Sequence, residues 1–292
     1  MKHVGDLLAR LSLPADPDGP PDPEGGDADL ERRSEGAICR PDWLHELSAG
    51  LPAGHLHLWG GPPGVGKTSF LLSLLHAEAW RGRRSIYATY HLAASSLAMR
   101  LLAMAAGLDV EALTTGELSP AEARHAARTR RCLARLPIWI LEARGFSVAS
   151  LADRASRLPF RADVLAVDYL QAVIRPTGTD LGHAVRGFTA LASRLHMAVV
   201  VALQGAKDPP LASDAGRPGS AELLREKSGP FGADLAPLAL ADRAGWIVPA
   251  LGVGRRRVEV IRNRYGERAS VPLRIDPATG AFARAEEEPP AH

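Results

Sequence analysis

Cysteine is nearly absent. Cys39 and Cys132 are the only two in 292 residues, and neither has a second Cys or a His at metal-ligand spacing. A disulfide framework and a thiolate metal site are thereby excluded, and two reduced structural thiols in a cytoplasmic chain are expected. No run of about 18 apolar residues occurs, so no membrane span and no membrane partner are expected. The opening MKHVGDLLARL is too short to read as a secretory signal, and Asp6 and Arg10 interrupt it too soon. No internal repeat is visible. Lysine is scarce as well, confined to Lys2, Lys67, Lys207 and Lys227, so the position of Lys67 draws attention. Aromatic residues make up 5%, too few for stacking to dominate any surface.

Apolar residues make up 46% of the chain, enough for one large core. The net charge of +2 conceals an uneven distribution. Residues 16–35 hold eight acids against Arg32 and Arg33, whereas residues 255–268 hold six arginines against Glu259 and Glu267. An acidic head can mask a basic working surface in the total. Val4, Leu7, Leu8 and Leu11 are spaced like one helical face within residues 3–12. Beyond them PADPDGPPDPEGGDAD reads as a flexible linker, because it cannot bury enough apolar surface to offset the entropy of ordering. The expected division is a short helix with an acidic Pro/Gly-rich linker over 1–35, an α/β core over 36–284, and a disordered tail over 285–292.

Within the core, strand and helix patterns alternate. Strands are predicted over His55–Trp59, Ser85–Tyr90, Pro137–Leu141, Val164–Val167 and Ala198–Leu203. Helices are predicted from the following loop to Trp80, over Ala94–Ala106, from Ser119 onward, over Ser147–Leu158 and over Leu181–Leu195. Ser119 has Pro120 at the first helical position and Glu122 three residues after the cap. Such alternation implies a mostly parallel sheet covered on both faces. After Gln204 it fails. Residues 205–235 read as a long surface loop with a short helix near Glu222–Glu226. Antiparallel strands are then expected over Trp246–Leu251, Arg257–Arg262 and Val271–Ile275.

Gly61, Pro62, Pro63, Gly64, Val65, Gly66, Lys67 and Thr68 match G-x-x-x-x-G-K-[ST], and Ser69 follows. A strand precedes the motif and an apolar helix follows it, which is the context that gives it meaning. The glycines allow backbone N–H groups to point into one concavity that binds phosphate oxygens, and the helix dipole adds to the attraction. Lys67 can neutralise the β/γ-phosphates of ATP, and Thr68 can ligate Mg2+. The partner carboxylate such a site needs on a neighbouring strand is Asp168, which ends the apolar run Val164–Val167 and falls at the carboxyl end of a buried strand.

From Asp168 the sequence continues as VDYLQ, and here it resembles the ATPase core of DnaB-type replicative helicases. Ser34–Leu51, the SLAMRLL run of Ser96–Leu102, VVVALQ ending in Gln204, and VIRNRYG over Val260–Gly266 resemble further motifs of that family, in its order. The resemblance covers roughly residues 36–284. It implies a RecA-like P-loop NTPase fold in which Lys67, Thr68 and Asp168 hold ATP and Mg2+. It also implies that Gln204 senses the γ-phosphate. Arg264 stands at the position of an arginine finger and Arg262 at that of its basic partner, both acting on a neighbouring subunit's ATP. A homo-oligomeric ring, hexameric in the family, follows, and residues 3–12 are expected to pack on the adjacent subunit.

The chain departs from the family where a catalytic glutamate is expected, since His91 occupies that position. Glu142 is the nearest alternative carboxylate. Three readings stay open: slow hydrolysis, His91 acting as the base, or ATP used chiefly as a structural switch. In a ring, the loops after Asp168 and Gln204 face the channel. Arg175 in the first, and Lys207, Arg217, Arg225 and Lys227 in the second, are candidates for salt-sensitive, sequence-blind contact with single-stranded DNA. The expectation is a DNA-stimulated ATPase working with a replication or repair partner protein. A weakly hydrolysing scaffold and a recombinase-like filament are the alternatives.

Overall fold

The computed structural model describes residues 1–11, 43, 50–174, 178, 180–205, 240–250, 252–264 and 269–285. Statements about the fold refer to these residues. Elements follow in chain order: β1 (Lys2–His3), α1 (Val4–Ala9), β2 (Leu56–Gly61), α2 (Lys67–Trp80), β3 (Ser85–Thr89), α3 (Ala94–Ala106), α4 (Val110–Thr115), α5 (Pro120–Leu133), β4 (Ile138–Glu142), α6 (Val148–Ser156), β5 (Val164–Asp168), α7 (Leu170–Ile174), α8 (Leu181–Leu195), β6 (Ala198–Gln204), β7 (Arg243–Pro249), β8 (Arg255–Asn263), β9 (Ser270–Ile275) and β10 (Phe282–Arg284). The strands form one sheet in the order β1-β4-β3-β5-β6-β2-β7-β8-β9-β10. From β4 to β7 in that order neighbours are parallel, and β1 and β8 to β10 extend the two sides antiparallel.

Near-continuous apolar runs in β5 and β6 are what a strand covered on both faces requires. Helices α1 to α5 build the core on one face, with Phe70, Leu97, Leu101 and Leu133 among its members. Helices α6 to α8 cover the other face through Leu151, Val185, Phe188 and Leu191. Helix α2 is buried on nearly every side from Ser69 to Ala79, as expected of a helix without a polar face. It crosses β6 and β5 to reach β3. Side by side in the sheet, β2 and β7 are locked by reciprocal Trp–Gly pairs. Gly60 lies opposite Trp246 and Trp59 opposite Gly245. A Cβ on Gly60 would fall 1.8 Å from the Trp246 ring, and one on Gly245 would fall 2.1 Å from the Trp59 ring.

Helices over Ala94–Ala106 and Leu181–Leu195 stand where the pattern predicts them. Ser119 and Glu122 form the reciprocal cap expected of them. Two short helices, α4 and α7, were not anticipated. Strand β7 starts at Arg243, before the expected Trp246. Arg243 is buried, and its guanidinium reaches Asn263 and the carbonyl of Gly50, a charged strand residue that a hydrophobic pattern does not reveal.

The N-terminal segment departs from the expected docking on a neighbour. Val4, Leu7 and Leu8 are buried in the core of their own chain. α1 packs on α3, α5 and β4, while Lys2 and His3 pair with Ile140 and Trp139 at the sheet edge. The physical reason is that β4 would otherwise present an open edge, and the apolar face of α1 fits the adjoining helices. The expected linker, the loop helix near Glu222–Glu226 and the C-terminal tail after residue 285 lie outside the described residues. Among the described residues no helix is long and apolar enough to cross a membrane.

Candidate functional site

β2 delivers the chain into the glycine-rich loop at the carboxyl end of the parallel strands, and α2 begins at Lys67. Gly64 and Gly66 have φ of 75° and 104°, values that favour glycine and let successive amides face one concavity. Gly64 faces open space where a Cβ would be. Lys67 Nζ donates to the carbonyls of Gly61 at 2.9 Å and Pro62 at 2.7 Å. Partial burial lowers its pKa to about 8, against an opposing pull from Asp168. A partly dehydrated ammonium whose hydrogen bonds go to the carbonyls of its own loop is suited to an anion.

Asp168 is 2% exposed at the end of β5. Its Oδ2 accepts from Thr68 Oγ1 at 2.7 Å and from Tyr87 Oη at 2.7 Å. No cluster of three or more His, Cys, Asp or Glu side chains occurs among the described residues, so no closed protein cage for a metal is present there. A hydroxyl and a carboxylate in contact instead match Mg2+, which keeps several waters and takes the rest of its shell from phosphate. The residues therefore fit a Mg2+-bound polyphosphate: Thr68 and Asp168 at the metal, and the loop amides and Lys67 at the phosphates.

Gln204 ends β6 opposite Gly61, and the amide of Gly205 donates to the carbonyl of Gly61. Gln171 clamps that strand end. Its side chain donates to the Gln204 carbonyl at 2.6 Å and accepts from the Gln204 amide at 3.0 Å. His91 lies just past β3, whose Thr89 pairs with Asp168. It is exposed, with its ring edge-on to Tyr169 at 5.4 Å. Glu142 is less suited to base chemistry than His91 by position. It sits on β4, on the far side of β3 from Asp168, accepts from the Ala94 amide at the start of α3, and faces Lys2 at 3.7 Å. The Ala94 amide holds its carboxyl below the usual range.

The phosphate loop, Asp168, Gln204 and His91 are thus gathered at one end of the sheet. Arg262 and Arg264 are not with them. Arg262 lies opposite Ala244 near the start of β7 and donates to the Ala241 carbonyl. Arg264 pairs with Asp242 at 3.2 Å. Both lie at the amino end of β2, away from their own phosphate loop. Arg175, Lys207, Arg217, Arg225 and Lys227 lie outside the described residues. Tyr87 and Gln171 were missed by sequence reasoning. Tyr87 had a faint signal, since it alternates with Thr89 on β3, the neighbour of the strand that ends in Asp168. A hollow of about 730 Å3 between α6 and α8 lies on the opposite face of the sheet from α2 and shares no residue with this site.

Residues 41–284 match the family described as DnaB-like helicase C terminal domain. The chain is similar to the replicative DNA helicase DnaB of Rickettsia bellii (strain RML369-C), 26% identical over 167 residues, which are 51% of this chain and 34% of that protein. It is 24% identical over 171 residues to the DnaB of Geobacillus stearothermophilus, covering 55% of this chain and 37% of that one. The chain therefore spans about a third of the length of these relatives. Among solved structures, a chain described as an ATPase domain superposes with a TM-score of 0.71 at 16% identity, covering 89% of this chain and 96% of that one. A DnaB-like replicative helicase studied with primase gives a TM-score of 0.71 at 16% identity, covering 91% and 69%. At these identities the structural likeness concerns the fold, which is RecA-like.

Proposed function

Because the chain belongs to the DnaB-like helicase C terminal domain family, we propose that it is a Mg2+-dependent ATPase that assembles as a ring and moves on, or holds, single-stranded DNA. One observation carries the reading. Lys67 and Thr68 at the start of α2 and Asp168 at the end of β5 meet beside the glycine-rich loop that follows β2, Lys67 on the loop's carbonyls and Thr68 on the Asp168 carboxylate. Lys67 neutralises the β/γ-phosphates, Thr68 and Asp168 hold the metal, and Gln204 reports the γ-phosphate to the segment after β6. Arg262 and Arg264 serve the site of a neighbouring copy. The basic residues Arg175, Lys207, Arg217, Arg225 and Lys227 meet the DNA backbone.

His91 favours a second reading, an ATP-binding scaffold with little turnover. An exposed imidazole stands where a carboxylate would deprotonate water, and the neighbouring carboxylate, Glu142, caps α3 instead. ATP hydrolysis with and without single-stranded DNA separates the two. The enzyme reading expects DNA-stimulated turnover that Lys67→Ala lowers roughly 10²–10³-fold, as for loss of one transition-state donor. Equal rates for wild type and Lys67→Ala would remove the enzyme reading. Low wild-type turnover that His91→Glu raises by ~10²-fold or more, the worth of a general base, would establish the scaffold reading in its place.

A further inference from the structure

Val65 lies inside the phosphate loop and is buried. Its carbonyl precedes the helical ladder of α2, which opens with the Phe70 amide on Gly66. Helix geometry therefore assigns that oxygen no intrahelical partner. Arg256 Nε donates to it at 3.1 Å, while Arg256 Nη1 donates to the carbonyl of Arg255 at 2.8 Å. The guanidinium is thus fixed by two acceptors, and partial burial lowers its pKa. Arg256 stands on β8 opposite Pro249, at the carboxyl end of β7, which neighbours β2. Its side chain reaches the loop from two strands away. A trans peptide points its C=O and its N–H in opposite directions. A Val65 carbonyl held on the Arg256 side therefore aims the Gly66 amide at the opposite side. The same loop is backed by β9 and β10. A Cβ on Gly66 would approach Ile275 Cδ1 at 2.7 Å and Phe282 Cζ at 2.9 Å.

We propose that Arg256 is a positioning residue of the phosphate loop, which sets the Val65–Gly66 peptide so that the Gly66 amide is ready for phosphate before nucleotide arrives. The inference rests on the nucleotide site proposed above and adds a determinant of its affinity. Because the effect passes through a backbone amide, it applies to diphosphate and triphosphate alike. It leaves the chemical step alone, as loss of uniform binding does.

The test measures dissociation constants for MgADP and MgATP, kcat at saturating ATP, and melting temperature. The proteins are the 292-residue wild-type chain, Arg256→Met and Arg256→Lys. Met keeps the apolar stem but cannot donate, and Lys restores a cationic donor without the planar fork. The expected result is that Met weakens both nucleotides together by about tenfold, the worth of one hydrogen bond to a charged donor. Melting temperature and kcat should stay near wild type, and Lys should recover part of the affinity. Unchanged affinities in Met would overturn the inference, as would weakening of ATP alone or a loss that merely follows a lowered melting temperature. Failure of the wild type to bind either nucleotide would instead defeat the proposed function, so the two failures are distinguishable.

Discussion

Lys67 is the residue whose environment says most about its use. Dehydration lowers its pKa from 10.5 to about 8. The folded chain therefore holds this proton less firmly than an unfolded chain does. Below about pH 8 the ammonium is charged and ready for phosphate. Between about pH 8 and the free value it is largely neutral, and a bound polyphosphate must draw the proton back. Affinity for MgATP is accordingly expected to be flat from about pH 6 to about pH 8. It should then fall by up to about tenfold per pH unit, with proton uptake on binding in that upper range. Binding measured in buffers of different ionisation enthalpy reads both quantities. An affinity that holds steady well above pH 8, or a Lys67→Met variant with the same alkaline limb, would show that another group controls it. This lysine's contribution to stability is present above its unfolded pKa and is lost as pH falls through about 8.

At the scale of elements, the sequence revealed what depends on local chemistry and concealed what depends on partners. The phosphate loop between β2 and α2 was legible because its motif and its flanking periodicities agree. α3 and α8 were legible because their apolar spacing runs over 13 and 15 residues, and α5 because Ser119 and Glu122 announce its start. α4 and α7, at 6 and 5 residues, are too short for a period to register. The carboxylate of Asp168 was legible, but its Tyr87 partner was not, because nothing local to SIYAT names an acid 81 residues away. Likewise the apolar face of residues 3–12 was clear and its docking place was not. The structure gives that face a definite test. Leu8 is fully buried against its own chain, so Leu8→Ala should cost about 2–5 kcal/mol and lower the melting temperature at every protein concentration. If the variant melts like wild type but dissociates into smaller assemblies, the helix belongs on a neighbouring copy.

For the whole molecule, the sheet has two chemically different ends. Lys67, Asp168 and Gln204 stand at the carboxyl end of the parallel strands. Arg264 stands at the other end with Asp242, its side chain 60% exposed. β8 runs between them, with Arg256 at the phosphate loop and Asn263 opposite Arg243. Arg264, one residue past the end of β8, is eight positions along from Arg256, about 27 Å at the usual rise, so Arg264 cannot reach the phosphates of its own chain. If it stabilises a transferring phosphoryl group, it does so on another copy, and a working site needs two chains. Arg264→Ala and Lys67→Ala should therefore each lose turnover alone, the former by about 10³-fold or more. Mixed together they should recover part of it. Wherever an Arg264→Ala subunit presents its intact loop to the intact arginine of a Lys67→Ala subunit, one complete site is rebuilt. A cis arrangement predicts no recovery at any ratio, because every chain then carries its own defect. Turnover against mixing ratio, with co-assembly checked by sizing, reads the difference. A flat line in mixed assemblies would remove the finger from Arg264 and the need for a ring with it.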